Sequence, residues 1–320
     1  MQPFSYHTGQ REVQREANSV ACADKLSTWV GPVADFAAGA DLVLLASLAD
    51  PTWHLAALSG PPPLVSVTAD GDALAMGLPA GVERWLPVGG ACGGIVINLA
   101  QARRSRVAGM LAASSGDGDA DADADALRLT CRVAFTNCRK YMTPTASTGT
   151  APYLGPAAVA PCAPDDAWLL DVVARGETAF LVTATPDGVA DVSHRGGLPG
   201  FLRHDPAGGR VEWTEYVGDG MFVSSGNVRR RSRAVLLVLE LASGDAAWLD
   251  LDVSYTTVRS DRRERVDALL QAGEPFPVQG RMTARVLGAR RVTGLCRPRV
   301  RVPARGRITS ADPTAVQHPR

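Results

Sequence analysis

From Leu42 onward the chain alternates short apolar runs with turn residues. Leu42-Val43-Leu44-Leu45-Ala46-Ser47 breaks at Asp50-Pro51, and the apolar texture resumes through His54 to Ser59. Runs of this length, rich in Val, Leu, Ala and Thr and bounded by Gly, Pro and Asp, predict β-strands. In the first half they fall at 42–48, 53–59, 63–68, 93–98, 105–112 and 127–135. In the second half they fall at 178–185, 189–194, 200–204, 210–214, 220–225, 234–240 and 246–254, with a final strand around Val300 and Val302. Apolar residues recur at helical spacing in three places: weakly within 5–30 around Val13 and Val20, at Asp165–Arg175 through Trp168, Leu169, Val172 and Val173, and at Arg259–Ala272 through Val266, Leu269 and Leu270.

Two stretches of this pattern read as copies of each other. The run from Leu42, its turn, and the continuation to Val65 are echoed by Ala179–Ala184, a turn at Pro186-Asp187-Gly188, and Ala190 to Phe201. Later each half has an arginine cluster entering an apolar run, at Arg103–Val107 and at Arg230–Val235. Matching features in a fixed order predict one β-rich unit duplicated within the chain. The division that follows is a helical lead-in over 1–30, a first unit over 31–142, a Pro, Ala, Thr and Gly-rich linker over 143–164, a second unit over 165–285, and a basic extension over 286–320 whose last dozen residues are expected to be disordered.

At 320 residues the chain is long enough for two substantial cores. Formal net charge is zero, which argues against a general nucleic-acid or anionic-membrane binder, since these rely on a sustained positive field. No apolar run spans a bilayer and the N-terminus is polar within ten residues, so a cytoplasmic protein is expected. None of the six cysteines forms a C-x-x-C pair, so no metal site is expected and the thiols read as reduced and mostly buried. The Asp and Ala ladder over 114–126 lacks the Gly and Glu positions of a calcium loop and reads as a solvated hairpin loop.

Three motifs could carry chemistry. In Asp191-Val192-Ser193-His194-Arg195-Gly196-Gly197-Leu198-Pro199-Gly200-Phe201, a strand ends in hydroxyl, imidazole and guanidinium groups before paired glycines. An Arg fork suits a phosphate, Ser adds a neutral donor, and glycines let backbone N–H groups approach a ligand. A tight turn with exposed polar residues would have the same sequence. Gly218 to Val228, including Ser224, Ser225, Gly226 and Asn227, leads into Arg229–Arg233. It is compatible with an anion cradle or with a strand and turn followed by solvated arginines. The echo at Asn98 and Arg103–Arg106 favours a structural role for these arginines. Phe135 to Tyr141 places Lys140 and Tyr141 beside Cys138. A nucleophilic thiol there would need a base that the neighbouring sequence lacks, so Lys140 and Tyr141 read better as ligand contacts. His194 is the candidate for proton transfer, with a structural role as the alternative.

Taken together and in order, these motifs resemble the pyridoxamine 5′-phosphate oxidase-like superfamily of flavin-binding split β-barrels, in the branch with two tandem barrels in one chain. The branch's N-terminal H-x-G-E-x-x-V-Q stands here as His7-Thr8-Gly9-Gln10-Arg11-Glu12-Val13-Gln14, its R-R-x-R-x-x-G as Arg103 to Gly109, and its G-N-C-P-K-Y as Thr136 to Tyr141. D-x-S-H-R-G-G-x-P-G-F is matched in full by Asp191 to Phe201. Departures are Glu215 and Asp219 in place of the Asp and Asn of the branch's P-D-[FY]-x-G-N, which stands here as Thr214 to Asp219, Thr136 and Arg139 within the Asn-Cys motif, and the absence from the first copy of an arginine corresponding to Arg195.

The resemblance implies a mainly β fold of two tandem split β-barrels related by an internal pseudo-two-fold, with FMN in the groove between them. FAD, haem or no cofactor are the less favoured alternatives. It implies Ser193 and Arg195 as phosphate donors, Gly196 beside them, Ser224, Ser225 and Asn227 as further polar contacts, Lys140 and Tyr141 closing the groove, and His194 as the catalytic candidate. The activity implied is flavin-dependent oxidation or reduction of a small organic molecule, of the kind found in specialised metabolism, with electrons from an external donor or reductase. The chain would act as a monomeric pseudo-dimer or a homodimer. The alternative is a diverged split barrel without flavin that binds a small molecule or a partner, or that uses haem or cofactor-free chemistry.

Overall fold

The computed structural model describes residues 2–25, 27–28, 30–70, 73–113, 127–218, 220–258 and 273–303. The expected helix at 259–272, the loop at 114–126, Asp219 and the tail beyond 303 lie outside them. The chain opens with β1 (Gln2–Pro3), α1 (Thr8–Glu16), α2 (Val20–Ala23), β2 (Ser27–Thr28) and α3 (Val30–Ala38). The first unit follows as β3 (Leu42–Ala49), β4 (Thr52–Ser59), β5 (Ser66–Asp70), β6 (Ala73–Leu78), a 3₁₀ turn at Val82–Arg84, β7 (Ala91–Asn98), β8 (Arg103–Ala113) and β9 (Leu127–Thr136). Three short strands come next: β10 (Thr145–Ser147), β11 (Tyr153–Gly155) and β12 (Ala158–Cys162). The second unit is α4 (Ala167–Arg175), β13 (Thr178–Ala184), β14 (Ala190–Gly196), β15 (Leu202–Asp205), β16 (Arg210–Tyr216), α5 (Val223–Arg230), β17 (Arg233–Leu239), β18 (Ala246–Thr257) and β19 (Val278–Thr293), before a last strand β20 (Arg299–Arg301).

The two large sheets have one topology. The first runs β11-β4-β3-β7-β8-β9-β6-β5 and the second β14-β13-β17-β18-β19-β16-β15, with β12 added on β19. Without β11 and β12 the orders correspond strand for strand. Both copies even place a bulge at the same point, opposite Ala108/Gly109 of β8, where β9 carries the extra residue Arg132, and opposite Asp250/Leu251 of β18, where β19 carries the extra residue Leu287. The protein is therefore two tandem split β-barrels, mainly β, related by an internal pseudo-two-fold.

Three cores explain why the central strands are apolar on nearly every residue. In β3, Val43 and Leu45 fill the first barrel, whereas Leu42, Leu44 and Ala46 face a core shared between the barrels. In β13, Leu181 points into the second barrel, and Phe180 and Val182 join the same shared core. β17 divides likewise, with Leu236 inward and Leu237 in the shared core. A strand buried on both faces loses the alternation of a half-exposed one. Each fully buried Leu or Phe contributes about 1.5–3 kcal/mol, so the shared core joins the barrels by the same kind of burial that fills each of them.

Several expectations need correction. The strand placed at 220–225 is the start of helix α5. The linker carries three strands, and α3 starts at the last residue of the lead-in, crosses the boundary at 30/31 and packs Val33 and Ala37 into the first barrel's core. The boundary at 285/286 falls inside β19, a strand hydrogen-bonded on both sides by β18 and β16. Its arginines are not a free basic extension: Arg285 pairs with Asp252, Arg290 with Asp250 and Arg291 with Asp245. The arginine clusters do not correspond either, since one enters β8 and the other enters β17, the counterpart of β7. No helix among the described residues is long and apolar enough to cross a membrane.

Candidate functional site between the barrels

β14 ends the second sheet and packs against β7, β3 and β8 of the first. Two glycines allow this approach. A Cβ on Gly93 of β7 would collide with the Ala190 carbonyl, and one on Gly196 with the Tyr141 carbonyl. Gly196 therefore serves contact between the copies, where the sequence suggested room for a ligand.

Beside this seam lies a cleft of about 90 Å³. The second barrel contributes His194, Arg195 and Gly196 from β14, Glu215 and Tyr216 from β16, and Phe222 to Ser225 at the start of α5. The first barrel contributes Arg104 and Arg106, alternate residues on β8, with Cys138 and Tyr141 from the segment after β9. One chain thus supplies both walls.

The charges are unequal. Arg195 Nε lies 2.6 Å from Glu215 Oε1, and its Nη2 donates to Ser224 Oγ at 2.6 Å. Trp213 Nε1 also donates to Glu215 Oε1, at 2.7 Å. Arg106 pairs with Asp191 at 3.3 Å and donates to Ser193 Oγ. Arg104 has only neutral partners among its recorded contacts: His194 Nδ1 at 2.6 Å, Cys138 Sγ at 3.6 Å and the Lys140 carbonyl at 3.3 Å. Among the described residues three guanidiniums, those of Arg104, Arg106 and Arg195, stand with two carboxylates, Asp191 and Glu215, an excess of one positive charge.

Arg104 also fixes the state of His194. A guanidinium can only donate, so Nδ1 must accept and the neutral ring carries its proton on Nε2. Burial, reinforced by Arg104 and Arg195, holds the imidazole pKa well below its ordinary value of 6.5. Nε2 is buried without a hydrogen-bond partner. His194 is therefore an N–H donor lacking an acceptor, in a residue only 6% exposed. The start of α5 adds to this. Its N-cap, Phe222, takes a left-handed conformation at φ 52° and offers no side-chain cap, so the first turn presents N–H groups and the positive end of the helix dipole toward the cleft.

The structure brings His194, Arg195, Gly196, Ser224, Ser225 and Tyr141 to the cleft lining but not the other three expected residues. Ser193 lies behind it, bonded to Asp191, Ser224 and Arg106. Asn227 is fully buried: its Oδ1 accepts from His7 Nε2 at 2.8 Å and Gln10 Nε2 at 3.0 Å, and its Nδ2 donates to Thr183 Oγ1. Asn227, His7 and Gln10 dock α1 onto α5. Lys140 Nζ donates to the Val217 carbonyl at 3.4 Å, as Tyr141 Oη does at 2.9 Å. Arg229 and Arg230 pair with Glu16 and Glu12 of α1 and stay out of the cleft. Arg104 and Arg106 escaped assignment as site residues, although their i, i+2 spacing on a predicted strand sets them on one face.

The opposite seam has been closed. Matching the bulges equates Gly109 with Leu251, and the pairing registers then carry Val96 onto Val238, Val43 onto Ala179 and Leu58 onto Arg195. Ala56, Ala57 and Leu58 thus stand where the second copy has Ser193, His194 and Arg195, and Ala246 and Trp248 stand where the first has Arg104 and Arg106. The linker covers these positions, β11 pairing with β4 and β12 with β19.

No family model matches the chain, and no curated protein matches it. Solved structures do. A protein of the pyridoxinephosphate oxidase family from Clostridium acetobutylicum, related to a Bacillus subtilis general stress protein, is 11% identical, with 43% of this chain and 96% of that one covered at a TM-score of 0.29. A pyridoxamine 5′-phosphate oxidase-related, FMN binding protein from Nostoc punctiforme is also 11% identical, over 43% of this chain and 88% of that one, at a TM-score of 0.29. These similarities cover part of one chain and transfer no residue role.

Proposed function

We propose that the inter-barrel cleft holds the phosphate end of FMN and that the protein is a flavin-dependent oxidoreductase for a small organic molecule. The observation that carries this reading is one cleft lined by Arg104, by His194 with its unmatched Nε2–H, and by an uncapped helix start. Charged donors and a helix N-terminus suit a phosphate oxygen. Arg104, His194 and the first turn of α5 would hold it, while Tyr141, Tyr216 and Phe222 supply aromatic surface for a planar ring. Bound flavin would supply hydride or electron transfer, with electrons from an external donor. At neutral pH His194 acts as a fixed donor rather than a proton shuttle, because its tautomer is set from the other barrel.

The donor set fits the phosphate, but the room is narrow. About 90 Å³ is the share of roughly three waters, below the ~300 Å³ at which organic pockets begin. That volume favours one second reading, a cleft for a small carboxylate or phosphate monoester with no flavin. Titration with FMN, followed by visible absorbance and then addition of NADPH or dithionite, tests the first reading. A bound flavin band that bleaches on reduction supports it. Absence of a bound band, with inorganic phosphate or a small carboxylate still raising the melting temperature, replaces it with the second.

A further inference from the structure

A second cavity, of about 320 Å³, adjoins the cleft: Arg106 and Val223 line both. It lies between the N-terminal segment ahead of α1, strands β8 and β9 of the first barrel, and the turn joining β13 to β14. Three aromatic rings border it, those of Phe4, Tyr6 and Phe135, with Val133 and Val189 beside them. The Phe4 ring stands edge-on to Phe135 with centroids 5.2 Å apart, and 4.6 Å from Tyr6. The segment that carries Phe4 and Tyr6 is tied down. Tyr6 Oη donates to the Ala23 carbonyl at 3.2 Å, and His7 Nε2 lies 2.8 Å from Asn227 Oδ1. The rings are therefore set in place ahead of any ligand, which lowers the ordering cost of binding one.

The buried and half-buried polar side chains of this lining already have partners. Gln10 donates from Nε2 to Asn227 and accepts the His7 backbone N–H on Oε1. His7 Nδ1 accepts from the Gly9 N–H, which leaves Nε2 as its donor to Asn227. Thr185 Oγ1 donates to the Val189 carbonyl. Arg106 is held by Asp191 at 3.3 Å and by Ser193. These groups call for no polar ligand, and ordered water, which needs two to four polar partners, finds little there. Charge narrows the choice further. Arg106 and Asp191 cancel, and Asp187 adds one negative charge to the lining, so an anion is disfavoured. Asp187 is exposed, and an ion pair in water is too weak to select a cation. Contact with the rings is what remains, in a volume at the low end of the ~300–1,000 Å³ of organic pockets. We propose that this cavity binds a small uncharged aromatic molecule among Phe4, Tyr6 and Phe135. Its role as the seat of the substrate rests on the flavin reading of the neighbouring cleft; the binding itself does not.

Isothermal titration of the full chain, without FMN, compares 2-naphthylmethanol, 2-naphthoate and 2-naphthylmethylamine, which share a ring system and differ in charge. The alcohol should bind at least tenfold tighter than either ion, because burying a charge without a partner is costly. Ala108 lines this cavity and not the cleft, so Ala108→Phe should abolish binding while the circular dichroism spectrum stays unchanged. Phe4→Leu, which keeps bulk and removes the ring, should weaken binding at least threefold. No binding of the alcohol, equal binding of the three probes, or an affinity untouched by Ala108→Phe or by Phe4→Leu would each overturn the assignment. Binding of the alcohol by a protein that takes up no FMN would uphold the cavity as a site and remove its role as the seat of a flavin enzyme's substrate.

Discussion

Replacing Arg195 by alanine tests the electrostatics of the cleft without any ligand. The Glu215 side chain is 6% exposed and has Arg195 at 2.6 Å as its ion-pair partner. Removing one member of a buried pair costs about 3–5 kcal/mol, because the other charge remains in a poor solvent. Glu215 keeps the Trp213 indole N–H at 2.7 Å, which places Arg195→Ala at the lower end, about 3 kcal/mol. With a urea dependence of about 3 kcal/mol per molar, the unfolding midpoint should fall by about 1 M. Trp213 is itself a fluorescent reporter of that transition. Adding Glu215→Gln removes the stranded charge, and the double variant should regain more than half of the loss. A single variant within about 0.5 kcal/mol of the parent, or a double variant no more stable than the single, would refute the reasoning.

Three further outcomes can be checked on the same material. Because burial, with Arg104 and Arg195, depresses the His194 pKa, the unfolded chain gains a proton below about pH 6.5 that the folded chain does not. Stability should therefore fall from about pH 6.5 downward by up to about 1.4 kcal/mol per pH unit, and urea melts of His194→Gln should lack that contribution. Gly93→Ala drives a methyl group into the Ala190 carbonyl, a backbone contact with little room to yield; it should cost at least about 2 kcal/mol and speed amide exchange in both β7 and β14. Burial pushes the Cys92, Cys131 and Cys296 thiols up to about 12, so mass spectrometry after iodoacetamide treatment of the native protein should find them unmodified while exposed Cys22 is alkylated.

Strands buried on both faces announce themselves as continuous apolar runs, which is why β3, β13 and β17 were legible in the sequence. Others were hidden for physical reasons. β6 is short and its apolar residues are interrupted by Gly77. α5 carries Ser224, Ser225, Gly226 and Asn227, all poor helix formers; it is helical because α1 packs on it and His7 and Gln10 hold Asn227. β19 looked like a basic extension because its outward residues are arginines, yet their partners Asp250 and Asp252 alternate on the neighbouring strand β18, a cue that only pairing reveals. The site was half visible. His194 and Arg195 lie in one motif, but the roles they take depend on Arg104 and Glu215, which sequence places far away and the fold brings into contact.

Paired titrations of the purified protein with FMN and with riboflavin, which lacks the phosphate, bear most directly on the cleft. If Arg104, His194 Nε2–H and the start of α5 grip a phosphate, FMN should bind at least tenfold tighter than riboflavin, and Arg104→Met should erase the difference. Equal affinities for the two, or an FMN preference that survives Arg104→Met, would contradict the account.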